Sequence, residues 1–417
     1  MADAPGVLYF FRGVARTIEL AFFVLLYEVA DSMKKETLTS RQRVMRAINR
    51  EPVDRVPIDL GSHMSTGISA FAYRNLRKYL GLPIQNIWIP DLVQMLAYVD
   101  EDIRSLFHVD CILLEPPWPQ LRQWNFDGGF RFSVPHTFKP ARDPEGGWVV
   151  RQGKDSMRMP AGAYFFDGDW LADWGEGSEE ERIRLYAELA ERIFKETFYA
   201  TNFVGYSRGI GHGNFFEGIE QGVRMITAPE DVLAENERKC RAAISKFQKV
   251  NRTMGKYIQL ITLGDDMGGQ GGPLCNPEHI ECFCIPFYKR FCSFVHDNSE
   301  IKVFMHNCGA IRPIIPMLIE AGIDVLNPVQ ISAADMEPAG LVAEFGDRIT
   351  FWGGGCDTQN VLGSASPQEV ADHVRGLVKT FKRGKGFVFN QIHNIQANVP
   401  PENIVAMLEA AYQESFY

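Results

Sequence analysis

The stretch IKVFMHNCG, residues 301–309, is one of five short apolar runs in the second half of the chain, and each run ends in polar or glycine residues. The others are YIQLITLGDD (257–266), IDVLNPVQ (323–330), ITFWGGGCD (349–357) and GFVFNQIHN (386–394). Segments long enough for a helix separate these runs, which predicts a parallel sheet wrapped by helices. In a (β/α)8 barrel the carboxyl ends of the strands converge on one pocket, so this fold would bring the polar residues together.

The first half supplies the start of such a barrel. In TLTSRQRVMRAINR, Thr39 or Ser40 can cap a helix that ends near Glu51 and carries Val44, Met45 and Ile48 on one face. The short apolar segment 56–60 is then a candidate first strand. A doubly wound open sheet is the alternative fold. It usually carries a G-x-G-x-x-G turn after its first strand, and GGQGG at 268–272 lacks that spacing.

We expect one barrel domain over residues 33–417. Residues 1–32 are apolar and aromatic with interspersed charges, and they predict an N-terminal helical extension that packs on the barrel or on a partner, with a loose extension or membrane-surface binding as alternatives. Residues 116–175 are rich in Pro, Trp, Gly and β-branched residues, which predicts a β-hairpin insertion near the barrel mouth.

Composition excludes several classes of function. The formal net charge of the 417-residue chain is −9, and its positive residues are scattered, so we expect no nucleic-acid partner. The uncharged N-terminal run is too short to span a bilayer, which makes a membrane partner unexpected. Eight cysteines without a framework pattern or secretory signal predict free thiols in a soluble, cytoplasmic protein. Cys282 and Cys284 lie in a segment with helical apolar spacing and are expected to be ordinary helix residues.

His306 and Cys308 directly follow an apolar run. Because side chains two residues apart in an extended chain point to the same side, the imidazole and the thiolate could bind one ion together. One soft sulfur and one imidazole suit zinc, which at catalytic sites takes three protein ligands and leaves a position open for substrate. The alternative is a hydrogen-bonded histidine beside a buried cysteine.

Asp265 and Asp266 follow the run that ends at Leu263. Adjacent carboxylates point in opposite directions, so we expect Asp266 to face the pocket as base, proton donor or substrate clamp, and Asp265 to assist in substrate binding. The alternative is that the aspartates only stabilise the loop before a helix that begins near Asn276 and Pro277. Further hydrogen bonds to a polar substrate could come from Gln330, Asp357, Gln391 and Gln396, although each could equally be a satisfied strand-end residue.

Several ordered segments resemble the uroporphyrinogen decarboxylase superfamily, and its methyltransferase-like branch more than the decarboxylases themselves. They are SRQRVMRAINREPVDRVPIDLG, LGDDMGGQGGPLCNPEHIECFCIPFYKR, HNCGAIRPIIPMLIEAGIDVLNPVQ, ITFWGGGCDTQ and HNIQANVPPENI, and they span about residues 38 to 415. The resemblance implies a (β/α)8 barrel. For the branch that acts with corrinoid proteins or thiol acceptors, it also implies a zinc site written H-x-C followed by a distant cysteine.

In this chain the first two implied ligands fall on His306 and Cys308. The distant cysteine stands shortly before an x-P-x-E-N block, and counting back from that block here reaches His393. Histidine is also a zinc ligand, so the departure predicts a site with less thiolate charge. The decarboxylases carry a histidine near this point without binding metal, and Cys356 remains an alternative third ligand.

The leading functional hypothesis is a zinc-dependent methyltransferase. It would move a methyl group between a small substrate methylated on oxygen, nitrogen or sulfur and either a corrinoid (cobalamin) protein docked at the barrel mouth or a thiol acceptor. The second hypothesis is decarboxylation of a tetrapyrrole or related carboxylate. That reaction calls for several arginines near the first strand, where only Arg55 and Arg74 flank the segment. The third is a non-catalytic barrel that binds a small ligand. The sequence is compatible with a homo-oligomer.

Overall fold

The computed structural model describes residues 36–115, 120–127, 130–169, 178–204 and 215–417. The expected helix in residues 1–32 and the expected domain boundary at residue 33 lie outside these ranges. The α-helices are α1 Ser40–Ile48, α2 Ala70–Tyr79, α3 Glu101–Leu106, α4 Glu179–Glu196, α5 Ile219–Thr227, α6 Pro229–Met254, α7 Pro277–Phe283, α8 Ile285–Asn298, α9 Ile315–Glu320, α10 Pro338–Phe345, α11 Pro367–Phe381 and α12 Pro401–Ser415, with a 3-10 turn at Arg312–Ile314. The strands are β1 Ile87–Trp88, β2 Cys111–Leu113, β3 Leu121–Asp127, β4 Phe130–Pro135, β5 Ala141–Arg142, β6 Trp148–Gln152, β7 Asp155–Met159, β8 Asp167–Gly168, β9 Ala200–Phe203, β10 Leu260–Gly264, β11 Lys302–His306, β12 Val325–Asn327, β13 Thr350–Trp352 and β14 Phe387–Val388.

Seven of the strands form one curled parallel sheet in the order β14-β13-β12-β11-β10-β9-β2. The segment predicted as the first strand joins the two edges of this sheet. Phe389 donates its backbone N–H to the Pro57 carbonyl at 2.8 Å on one side, and Asp110 donates to the Ile58 carbonyl at 2.7 Å on the other. The eighth strand therefore closes the barrel, which confirms the (β/α)8 prediction and removes the doubly wound alternative.

Helix α1 covers the amino-terminal ends of the barrel strands. Thr39 caps it through a reciprocal pair of hydrogen bonds with Gln42, as the sequence pattern predicted. On its inner face Val44, Ala47 and Ile48 are fully or almost fully buried. This face packs against inward-pointing strand residues, so the lower half of the barrel is a filled apolar core. These are Cys111, Ala200, Leu260, Phe304, Val325, Trp352 and Val388.

The insertion is β-structure, as expected, but it is larger than a single hairpin. β3 and β4 pair antiparallel and β4 also pairs with β1, while β5 to β8 form a separate four-stranded antiparallel sheet. Trp124 makes edge contacts with Phe138 and Trp148, which joins the two sheets through aromatic side chains. Phe71 on α2 packs edge-on against Phe132, so the insertion is attached to the barrel through an apolar contact.

None of the helices in the described ranges combines the length and the apolarity needed to cross a bilayer.

Candidate metal centre

His306 and Cys308 lie at and just beyond the carboxyl end of β11. His306 is the last residue of the strand, and the side chain of Cys308, two residues later, lies on the same side. His306 Nε2 and Cys308 Sγ are 3.4 Å apart. Two zinc bonds of about 2.0 and 2.3 Å at a tetrahedral angle separate the ligand atoms by about 3.5 Å, so this pair already has the spacing of a zinc site.

His393 joins this pair from the segment that follows β14. A ligand atom from each of His306, Cys308 and His393 lies within 4.8 Å of the others. The backbone of His393 has a φ of +62°, a conformation that costs a non-glycine residue about 1–3 kcal/mol. Gln391 donates its side-chain N–H to the His393 carbonyl at 2.9 Å and so helps to hold this strained residue in place.

Asn327, at the end of the neighbouring strand β12, sets the tautomer of His306. Its side-chain nitrogen donates to the Trp352 carbonyl at 2.9 Å, so its Oδ1 must be the atom that faces His306 Nδ1 at 2.8 Å. Nδ1 therefore carries the hydrogen and donates it, which leaves the lone pair of Nε2 directed toward Cys308. A ligating histidine is commonly oriented in this way by a partner on its other nitrogen.

The protonation of the two other candidate ligands follows from burial. Burial lowers the pKa of His393 to about 4, with a further contribution from His306, so its imidazole is in the neutral form that binds a metal. Burial and the neighbouring Asp266 carboxylate raise the pKa of the Cys308 thiol. A divalent cation reverses that effect by stabilising the thiolate, and zinc would be bound with release of the thiol proton. Donor types, spacing and tautomer thus all fit zinc.

The two adjacent aspartates face opposite ways, as the sequence analysis expected. Asp266 has a side chain 60% exposed, and its Oδ1 accepts the Cys308 N–H at 3.0 Å and lies 3.6 Å from His306 Nε2. Asp265 is buried, and its Oδ2 accepts N–H groups from Phe215 at 2.8 Å and Phe216 at 3.2 Å as well as the Tyr288 hydroxyl. Burial also raises the pKa of Asp265 well above its usual range. Oδ2 of Asp265 thus fixes a loop, whereas Oδ1 has no hydrogen-bond partner among the described residues, and contact of Asp265 with substrate stays a prediction.

Two other side chains that were predicted to bind substrate make hydrogen bonds within the protein. Gln391 is fully buried and donates to the carbonyls of Thr66, Gly67 and His393. Asp357 accepts the backbone N–H groups of Gln359 and Asn360, an arrangement that shapes its own turn. These contacts hold both side chains within the protein, and their binding to substrate stays a prediction.

Gln330 contacts the turn beside the metal group, whereas Cys356 lies outside that group. Gln330 accepts the Gly309 N–H at 2.9 Å and so supports the turn beside Cys308, which leaves its predicted role at the substrate untested. Cys356 is buried and does not belong to the group formed by His306, Cys308 and His393 among the described residues. The geometry therefore favours His393 over Cys356 as third ligand.

The turn after the first strand adds two side chains that the sequence analysis missed. Ser65 donates its hydroxyl to Asn327 Oδ1 at 2.6 Å, and the His63 ring lies 5.9 Å from that of His306. His63 Nδ1 and Ser65 Oγ are 2.7 Å apart. Because the sequence SHMST directly follows a predicted barrel strand, the rule applied to the other strand ends would have identified both residues.

Comparisons with known proteins agree with this architecture. Residues 219–414 match the family described as Uroporphyrinogen decarboxylase (URO-D). A uroporphyrinogen decarboxylase from Anaeromyxobacter sp. (strain Fw109-5) is 23% identical over 392 residues, which cover 89% of this chain and 98% of that protein. Another, from Serratia proteamaculans (strain 568), is 41% identical over 51 residues, 12% of this chain and 14% of that protein.

The fold is also that of a solved structure, a methyltransferase from Methanosarcina mazei. The TM-score is 0.51 with 16% sequence identity, over 91% of this chain and 99% of that one. At this identity the likeness shows the fold alone. Residues 219–414 thus match the URO-D family, and the chain as a whole folds as a (β/α)8 barrel.

Proposed function

We propose that the protein is a zinc-dependent methyltransferase that moves a methyl group between a small methylated substrate and a corrinoid protein or thiol acceptor. The observation that carries the proposal is the grouping of His306, Cys308 and His393, whose ligand atoms lie within 4.8 Å of one another at the strand ends of the barrel. Two imidazoles and one thiolate form a three-ligand set that leaves one zinc position open.

When bound, zinc would supply Lewis acidity at the heteroatom that carries the methyl group, or would hold a thiol as thiolate. The protein's own contribution is positional. Asn327 holds the His306 ring so that Nε2 faces the site, and Gln391 fixes the His393 backbone. Asp266 is the exposed carboxylate beside the ligands, and we assign it the role of substrate clamp or proton carrier.

The partner follows from the chemistry of the transfer. A methyl group on oxygen or nitrogen needs a strong nucleophile to accept it, and a corrinoid held by a partner protein at the barrel mouth would provide one. A thiol compound is the other acceptor that suits a thiolate-stabilising site. The proposal places this reaction in the cytoplasm, where eight cysteines that are free in the structure stay reduced.

Decarboxylation of a tetrapyrrole is the second candidate, and the names of the curated relatives favour it. A substrate with many carboxylates calls for unpaired arginines at the pocket. Arg55 is 2% exposed and forms ion pairs with Glu36 and Asp110, and Arg74 stacks over the Phe130 ring at 4.3 Å. Arg55 is thus paired inside the protein, which favours methyl transfer, whereas Arg74 contacts a ring and its buried Nε has no hydrogen-bond partner among the described residues.

Metal analysis of the purified chain, prepared without chelators and supplied with zinc, tests the proposal. We expect close to one zinc per chain in the wild type and loss of zinc in His306→Ala and Cys308→Ala, because two remaining protein ligands hold the ion poorly. Cys356→Ala removes a different cysteine, which is buried, and is the matched control that should keep its zinc. A wild-type protein that stays metal-free under these conditions would rule out the mechanism.

A further inference from the structure

A cavity of about 320 Å³ lies between the insertion and the rim of the barrel. Its walls come from β7 and β8 of the insertion, from rim segment 93–96 and from segment 394–396. Phe166 donates its backbone N–H to the Val93 carbonyl at 2.8 Å, a bond that holds the insertion against the rim. The volume is at the lower end of the range for small-molecule sites. We propose that this cavity binds the non-reacting part of the substrate, an uncharged molecule with an apolar body and one hydrogen-bonding oxygen.

The oxygen is expected because one buried hydroxyl in the wall has no partner. Ser69 lines the cavity and is 4% exposed. It occupies the N-cap position of α2, where serine usually accepts a backbone N–H, but its side chain makes no such bond. Ser69 Oγ has no hydrogen-bond partner among the described residues. A ligand oxygen there would accept the hydroxyl hydrogen, beside the partial positive charge of the helix N-terminus.

The apolar body is expected because other polar side chains in the wall are already paired. Asn394 donates to Gln94 Oε1 at 3.0 Å and to the Met64 carbonyl at 2.9 Å, and Gln94 donates to Asp91 at 2.7 Å. The remaining inner wall is formed largely by apolar side chains. These are Val93, Leu96, Met157 and Phe166.

The absence of negative charge on the ligand follows from the charges at the rim. Asp167 and Asp169 are exposed and line the cavity. None of the described lining residues is a lysine, arginine or histidine. A carboxylate in this cavity would face two like charges without a counterion, in a space too apolar to solvate it. The same argument makes the cavity unsuitable for a tetrapyrrole with several carboxylates.

Only the identification of the bound molecule as the substrate rests on the proposed function. Binding to the cavity itself does not depend on it. Asn394, in the cavity wall, directly follows His393 in the chain, so one peptide bond connects the cavity wall to the metal group. The insertion that completes the cavity lies outside the stretch 219–414 that matches the URO-D family. We therefore expect substrate selection in this chain to depend on its own insertion.

Ligand-observed NMR titration with acetophenone, ethylbenzene and benzoate tests the inference. Acetophenone and benzoate have nearly the same shape and differ in charge, and ethylbenzene lacks the oxygen. We expect acetophenone to bind at least about tenfold more tightly than benzoate. Ser69→Ala should weaken acetophenone about fivefold and leave ethylbenzene unchanged, because only acetophenone loses a hydrogen bond.

Two variants locate the binding. Gln396→Trp adds bulk to an exposed lining residue and should reduce the affinity for both neutral probes at least about tenfold. The control is Leu121→Trp, at a half-exposed site on the other sheet of the insertion, which should leave the affinity for both probes unchanged. The double variant His306→Ala/Cys308→Ala should bind the probes like the wild type. Its result separates the cavity from the metal chemistry, since the proposed function can fail while the cavity still binds. Benzoate binding equal to acetophenone, or acetophenone binding unchanged in both Ser69→Ala and Gln396→Trp, would overturn the inference.

Discussion

Replacing Asn327 with leucine should weaken zinc binding without removing a ligand. The side chain is fully buried and joins three neighbours, because it accepts from His306 and Ser65 and donates to the Trp352 carbonyl. Leucine has a similarly branched shape but offers neither acceptor nor donor. The His306 ring then loses the bond that keeps the hydrogen on Nδ1 and the lone pair on Nε2.

The size of the effect follows from those bonds. Loss of a group that orients a ligating histidine typically weakens metal binding about 10- to 100-fold. Each buried polar group left without a partner costs about 1–3 kcal/mol, so the free energy of unfolding should fall by about 2–4 kcal/mol. Asn327→Asp keeps an oxygen opposite His306 Nδ1 and should retain zinc affinity within about tenfold of the wild type.

The control is another buried asparagine, which in the described part of the chain makes no hydrogen bond to the residues of the metal group. Asn403 is 1% exposed and donates to the carbonyls of Leu362 and Ala365, so Asn403→Leu should destabilise the fold to a similar degree. Zinc affinity is measured by competition with a chelator, and the tautomer of His306 by NMR of nitrogen-15-labelled histidine. If Asn403→Leu loses as much zinc affinity as Asn327→Leu, or if the His306 tautomer is the same in Asn327→Leu as in the wild type, then Asn327 has no positioning role.

Three further outcomes are expected. His393→Ala should lose zinc and methyl transfer to or from cobalamin, whereas His393→Cys should retain zinc. Cys356→Ala should change neither zinc content nor methyl transfer. Full zinc in His393→Ala together with loss of zinc in Cys356→Ala would show that the third ligand is misassigned. Asp266→Asn should keep stoichiometric zinc while kcat/KM for methyl transfer falls about 10²-fold or more, and an unchanged kcat/KM would remove its assigned role. Burial raises the pKa of Asp59 from 3.8 to about 6, so the native state keeps a proton that the unfolded state releases. The free energy of unfolding should therefore fall by up to about 3 kcal/mol as pH rises from 4 through 6. Asp59→Asn should remove that contribution. The free energy of unfolding by urea, measured from pH 4 to 7, should then differ from that of the wild type by an amount that changes steadily with pH. Parallel pH curves for the two proteins would contradict the raised pKa of Asp59.

Much of the barrel could be predicted from local pattern. Each apolar run is short, is separated from the next by a helix-length segment and ends in polar residues, and these properties depend on neighbours in sequence. The capping of α1 by Thr39 and the alternation of strand and helix were therefore predictable. The approach of His306 to Cys308 was predictable for the same reason, since two residues in extended chain share a side.

The proposed third ligand could be placed only through resemblance, because no local rule connects His393 to a pair more than eighty residues earlier. The size of the insertion was underestimated because aromatic contacts between separate strands, such as that of Trp124 with Trp148, leave no periodic signal. The separate positions of Asp265 and Asp266 followed the expected alternation, but that Asp265 supports a loop depends on Phe215, fifty residues away in the chain.

The sequence by itself thus determined the elements and the chemistry available at their ends, because helix and strand patterns are properties of adjacent residues. The tertiary structure alone decided which of those end residues act together. Closure of the barrel by segment 56–60 brings Ser65 next to Asn327, 262 positions later, and joins strand ends that no spacing rule relates. Burial at that junction keeps His393 neutral, and the hydrogen bond to Asn327 leaves the lone pair of His306 Nε2 directed at Cys308. Both the protonation state and the tautomer depend on tertiary structure, because desolvation and hydrogen bonding are set by what surrounds a side chain in space.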